Sequence, residues 1–235
     1  MKRIPKPAAA FITAVVMCGL ATFAYAVLHF ESNDTARFAV LLMVALLAGW
    51  LKLRLPGLNG NMSVNLPFII LGVGELGLLQ ALIVACGSTL VQSLKKPTRE
   101  IQPVQVIFNF FNMALSVGLA HYFVQHSAQR SDILATGLRV IVAAGILFLA
   151  NTVPVSAIIS LTETETFTKV WYGISLCSFP YYVLSAGVAS IFDSLNHHIA
   201  WQTPLLLLPL MGAVYHCYKG YFLSLPHKMA SVAGH

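Results

Sequence analysis

"LGVGELGLLQ", residues 71–80, carries Glu75, the only charged side chain between Leu66 and Leu94. Read as one straight helix, that run would be about 44 Å long, well beyond a hydrocarbon core of about 30 Å. It would also place its two basic flanks, Lys52 and Arg54 before it and Lys95, Lys96 and Arg99 after it, on opposite sides of a membrane. Basic loops collect on the cytoplasmic side, so both flanks belong on one face. The glycines of "GVGELG" supply a bend and allow close packing. The sequence therefore predicts a helical hairpin at about 66–94, crossing or re-entrant, whose two short pieces meet near Gly72–Gly77. Counted from Asn65, Glu75 would lie about 15 Å deep, near the midplane. There it is expected to be protonated, capped by glycine amides or paired with Arg139.

Working outward, composition fixes the class. Hydrophobic residues make up 57% of the 235 and charged residues 9%, against roughly 25% charged in a soluble domain. The apolar residues collect in blocks: Ala8–Phe30, Ala36–Leu51, the hairpin, Val104–Val124, Ile133–Ile159, Val170–Phe192 and Pro204–Phe222. The expected fold is an all-α polytopic membrane bundle, one integral membrane domain over 1–235, with six spanning helices plus the hairpin. "MKRIPKPAAAFITAVVMCGLATFAYA" has the grammar of a signal peptide. Apolar character continues through Val27–Phe30, so it reads as an uncleaved first helix.

Charge sets the orientation. Lys2, Arg3 and Lys6 hold the N-terminus in the cytoplasm, the acidic "HFESNDTAR" suits the outside, and Lys219 and Lys228 return the tail to the inside. The expected address is a bacterial inner membrane, with both termini cytoplasmic. The acidic pair Glu163 and Glu165 on the inside strains this scheme slightly. The net charge of +6 belongs to these loops, and no nucleic-acid partner is expected. Cys18, Cys86, Cys177 and Cys217 have no ligand spacing and read as buried thiols. His197 and His198 read as solvated loop residues, and His121 as interfacial.

Two blocks carry polar stripes. Gln102, Gln105, Asn109, Asn112 and Ser116 fall within an arc of about 80° at helical spacing. Trp171, Ser175, Ser178, Tyr182 and Ser185 repeat the pattern, interrupted by Pro180, and Asn151 and Thr152 add to it just before Pro154. Polar side chains facing lipid lose their hydrogen bonds, so these faces belong inside the bundle. Two readings stand. The stripes join helix to helix, or they wall a cavity for a small-molecule ligand. On the second reading the ligand-binding residues are Glu75, Gln105, Asn109, Asn112, Asn151, Trp171, Ser178 and Tyr182; an intramembrane carboxylate is functional by default. No GxSxG, HExxH, Walker loop or paired carboxylate appears, so no enzyme, metal or cofactor is expected.

Four segments in order, "LPGLNGNMSVNLPFIILG", "VIFNFFNMALSVGLA", "FLANTVPVSAI" and "SFPYYVLSAGVASIF", with "LLLLPLMGAVYHCYKGYF" closing, resemble the MASE-like N-terminal membrane sensor regions of bacterial cyclic-di-GMP signalling proteins. In those proteins a GGDEF or HD-GYP output domain follows the last helix, whereas this sequence ends at "SLPHKMASVAGH". The resemblance implies a sensor-like subunit that has lost its effector or binds a separate cytoplasmic one. The organisation also looks like the substrate-binding membrane subunit of energy-coupling vitamin transporters. Three functions are carried forward: a non-enzymatic sensor-like or accessory subunit, a substrate-binding transport subunit, and a packing subunit for another membrane protein. The lipid bilayer is a partner in all three.

Overall fold

The computed structural model describes residues 5–30, 34–54, 61–94, 102–130, 136–163 and 165–195, with six isolated positions from Leu205 to Gly220. Among these residues the chain forms α1 (Lys6–Leu28), α2 (Thr35–Trp50), α3 (Leu66–Glu75), α4 (Leu78–Leu94), α5 (Pro103–Arg130), α6 (Thr136–Glu163) and α7 (Phe167–Leu195). A short antiparallel ribbon, β1 (Lys52–Arg54) and β2 (Asn61–Ser63), joins α2 to α3. Four helices contain segments long and apolar enough to cross a bilayer: Lys6–Leu28, Pro103–His126, Leu138–Glu163 and Phe167–Phe192. The fold is a helical bundle suited to a membrane, but the expected six spanning helices are not what it shows. Block Ala36–Leu51 forms a helix of only 16 residues, about 24 Å long. Block Pro204–Phe222, like His197, His198 and Cys217, falls outside the described residues, apart from the isolated positions noted.

The run Leu66–Leu94 is two helices folded on each other. Asn65 Nδ2 donates to Ser88 Oγ at 2.9 Å, and a Cβ on Gly72 would sit 4.0 Å from Ala81 Cα. Each pair is symmetric in sequence about the Leu76–Gly77 junction, so α3 and α4 run antiparallel in a single register. The break comes where Leu76 turns extended, at φ −103° and ψ 159°. The Gly77 carbonyl then accepts from Ala81 N at 3.0 Å and starts α4. Gly72 and Gly74 stay inside α3 rather than forming the bend.

Helix α3 is the centre of the bundle. Every residue from Leu66 to Val73 is buried, and α3 packs against α2, α4, α5, α6 and α7. A helix apolar on all sides belongs in an interior, but one that begins there leaves its first amides without water. Here they are accounted for. Leu66 N donates to the Tyr181 hydroxyl at 3.4 Å, Pro67 has no N–H, and Phe68 N and Ile69 N donate to Asn65 O at 3.1 and 3.2 Å.

Contacts fix the direction of the surrounding helices. Arg37 meets Glu75 at one end and Gly49 meets Ser88 towards the other, so α2 runs parallel to α4. The contacts His121–Leu76 and Cys86–Phe110 make α5 antiparallel to α4. Phe11–Phe108 and Thr22–Gly118 make α1 parallel to α5. Phe148–Tyr182 and Thr152–Trp171 set α6 and α7 antiparallel. We call the end holding Glu75–Gly77 the tip, and the opposite end the base.

Two glycines mark the tightest seams. A Cβ on Gly19 would lie 2.8 Å from Phe111 O, and one on Gly49 would lie 2.9 Å from Ser88 O. Small residues let helix backbones approach in this way. Gly49→Ala must push α2 off α4, at a cost of about 1–3 kcal/mol. Gly145, with nothing within 4 Å of its added Cβ, should accept Ala with unchanged or slightly higher stability. Thermal unfolding of both variants in detergent checks the contrast.

Candidate functional site

A chain of amides and a hydroxyl ties three helices together. Asn112 on α5 donates through Nδ2 to Asn151 Oδ1 at 2.9 Å and to Asn151 O at 3.4 Å. Asn151 on α6 donates through Nδ2 to the Tyr182 hydroxyl on α7 at 3.2 Å. Beside it, Trp171 Nε1 donates to Thr152 Oγ1 at 3.4 Å, and Thr152 bonds its own helix at Phe148 O. The Phe148 ring lies edge-on to Tyr182 at 5.2 Å and to Phe179 at 5.6 Å. Asn112 is fully buried, yet its Oδ1 has no hydrogen-bond donor. The seam thus keeps an open acceptor in a buried position, where an unsatisfied carbonyl is costly.

The expected stripe on α5 divides. Asn112 and Ser116 are buried, while Gln102, Gln105 and Asn109, nearer the base, are exposed. Ser178 is buried but donates to Ile174 O of its own helix at 2.7 Å. Of the eight residues singled out in the sequence, Asn112, Asn151 and Tyr182 form the chain and Trp171 flanks it. Gln105 and Asn109 do not join it, and Glu75 lies elsewhere.

Glu75 sits at the tip, level with the first turn of α2, rather than midway through the bundle. The sequence count assumed that α3 starts at a membrane surface; it starts instead at Asn65, already buried and level with Ser88. The ion pair of Glu75 is with Arg37, Nη1 to Oε2 at 3.5 Å, not with Arg139. The pair fits its place, since a carboxylate at a helix C-terminus faces the negative end of the dipole and gains from a nearby cation. One residue on, His121 Nε2 lies 3.3 Å from Leu76 O. A carbonyl only accepts, so Nε2 carries the proton. His121 is therefore a strut from α5 to the helix break.

Two contacts were not read from the sequence. Tyr181 lies off the α7 stripe, and its role as partner of the α3 amide follows only from helix crossing. Arg37 did leave a trace, as an ionisable residue just inside an apolar block. Among the described residues no group of three or more His, Cys, Asp or Glu side chains converges on a metal position. No family model, curated protein or solved structure matches this chain.

Asn151→Leu keeps the volume but strands the Asn112 amide, and should cost about 1–3 kcal/mol. Tyr182→Phe removes one hydroxyl from the end of the chain and should cost about 0.6 kcal/mol. Unfolding in mixed micelles should return that order. At the tip, Arg37→Gln and Glu75→Gln should each destabilise more than half as much as the double variant. The double-mutant cycle should give a coupling of about 0.5–3 kcal/mol.

Proposed function

We propose that the chain is a non-enzymatic, sensor-like or accessory subunit of a bacterial inner membrane, in which a small molecule engages the α5–α6–α7 polar seam. Adjacent tyrosines carry this reading. Tyr182 ends the Asn112–Asn151 chain, and Tyr181 holds the first amide of the central helix α3. A ligand that satisfies Asn112 Oδ1 and re-orients the chain moves Tyr182, and the next residue moves α3. A switch needs differential contacts in its two states, and these two tyrosines supply them. Helix direction supports an N-terminus in the cytoplasm. Lys6, the ribbon that follows α2, and the end of α4 all fall at the base, where the sequence places its basic segments. The MASE-like resemblance points the same way, with a separate cytoplasmic effector or a second membrane protein as receiver.

A packing role is the second reading, favoured by Gln102, Gln105 and Asn109 at exposed positions on one side of α5. Such a row gains hydrogen bonds from a neighbouring membrane helix. Native mass spectrometry after gentle extraction tests both. A small molecule that co-purifies with the wild type and is lost from Asn151→Leu and from Tyr182→Phe supports the sensor reading. A ligand retained by both variants, or a stoichiometric membrane partner with no ligand, overturns it.

A further inference from the structure

One backbone carbonyl sets the direction of the polar chain. Asn112 Nδ2 lies 3.4 Å from Asn151 O as well as 2.9 Å from Asn151 Oδ1. A main-chain carbonyl only accepts, so the Asn112 amide must keep its nitrogen towards α6. Asn151 Oδ1 is then an acceptor too, which turns Asn151 Nδ2 to the Tyr182 oxygen at 3.2 Å. Every bond in the chain therefore runs one way, from Asn112 to Tyr182, and its two ends differ.

At the Asn112 end, Oδ1 is left without a donor on a fully buried side chain. At the other end the Tyr182 oxygen accepts, and among the described residues its own proton meets no acceptor. Tyr182 is itself buried. Ser185, three residues on and so on the same face of α7, is buried as well, and its Oγ has no partner. Traced through the bonds, Asn112 Oδ1 and the Tyr182 oxygen lie no more than about 11 Å apart. The seam thus presents an open acceptor and an open donor at the two ends of one short chain.

Charge narrows what can answer them. Residues 103–120, 140–162 and 170–192 contain no Asp, Glu, Lys, Arg or His. A charged guest would be buried there without a counter-charge, which costs far more than burying a neutral one. The Phe148 ring, edge-on to Tyr182 at 5.2 Å, adds an apolar surface that suits a flat body. Resting on the reading of the seam as a ligand site, we infer that its ligand is an uncharged amide. The ligand N–H donates to Asn112 Oδ1, and the ligand carbonyl accepts from the Tyr182 hydroxyl. A carboxylate offers no donor and an ammonium no acceptor, and both carry a charge that the seam does not match.

Isothermal titration of benzamide, benzoate and N,N-dimethylbenzamide into the full chain in lipid nanodiscs, with empty nanodiscs subtracted, tests the class. Benzamide should bind once per chain, at least about tenfold tighter than benzoate, which is charged, or N,N-dimethylbenzamide, which has no N–H. Asn112→Leu should weaken benzamide at least about tenfold and Tyr182→Phe at least about threefold. Tyr182→Phe keeps the ring and loses little stability, so it decides the matter where Asn112→Leu does not fold. No benzamide binding, as when water alone fills the seam, overturns the inference, as does wild-type benzamide affinity in Tyr182→Phe. Benzoate or N,N-dimethylbenzamide binding as tightly as benzamide, and weakened by Tyr182→Phe, overturns the amide class while leaving the seam a ligand site. A stoichiometric membrane partner without any ligand, by native mass spectrometry, instead overturns the reading on which the class rests.

Discussion

A helix that begins inside an apolar bundle must find partners for its first amides, and the rest of this structure is arranged around that constraint. Leu66 is buried, so Tyr181 must present its hydroxyl at that height on α7. Pro67 removes a second donor, and Asn65 serves the next two with its own carbonyl. Ser88 in turn holds the Asn65 side chain, which fixes the register of α4 against α3. The register of α4 then sets that of α2 through Gly49 and of α5 through Cys86 and Leu76. A misplaced hydroxyl on α7 would propagate through the bundle, because each seam is read off the last.

Much of this was legible in the sequence, for identifiable reasons. Block length and charge gave a helical membrane protein, and like-signed charge on both flanks of 66–94 required the chain to fold back within that run. Helical periodicity placed Asn112 and Tyr182 on polar faces, and both do meet across Asn151. Periodicity could not say which part of a stripe faces inward, since that depends on where two helices cross. Gln105 and Asn109 share an arc with Asn112 and are nonetheless exposed. Counting residues to place Glu75 assumes a start at the membrane surface, whereas α3 starts at the buried Asn65 and ends beside Arg37. The α3 partner of Tyr181 was not readable because Tyr181 lies about 100° around the helix from Tyr182, off the α7 stripe.

The bundle uses two kinds of cohesion in different places. Seams next to α1 and α2 bring backbone against backbone, with Gly19 against Phe111 and Gly49 against Ser88. The seams among α5, α6 and α7 are polar, with amides and hydroxyls between the helices. Between lipid-exposed helices the hydrophobic effect offers little, so packing and hydrogen bonds must serve. Close seams tolerate almost no displacement, whereas a polar seam can exchange one partner for another at small cost. That contrast sets a rigid side and an adaptable side on either side of the same central helix.

The brevity of α3 also bears on how the protein is made. Its 10 residues measure about 15 Å, half the thickness of a hydrocarbon core. Such a segment cannot settle across a bilayer as it leaves the ribosome, and its buried start has no hydroxyl to meet until α7 has been synthesised. The fold-back at Leu76–Gly77 lets α4 carry α3 in as one unit, but Leu66 must wait for Tyr181. The central element of the bundle is thus among the first to be translated and among the last to be completed, and assembly closes from the outside inward.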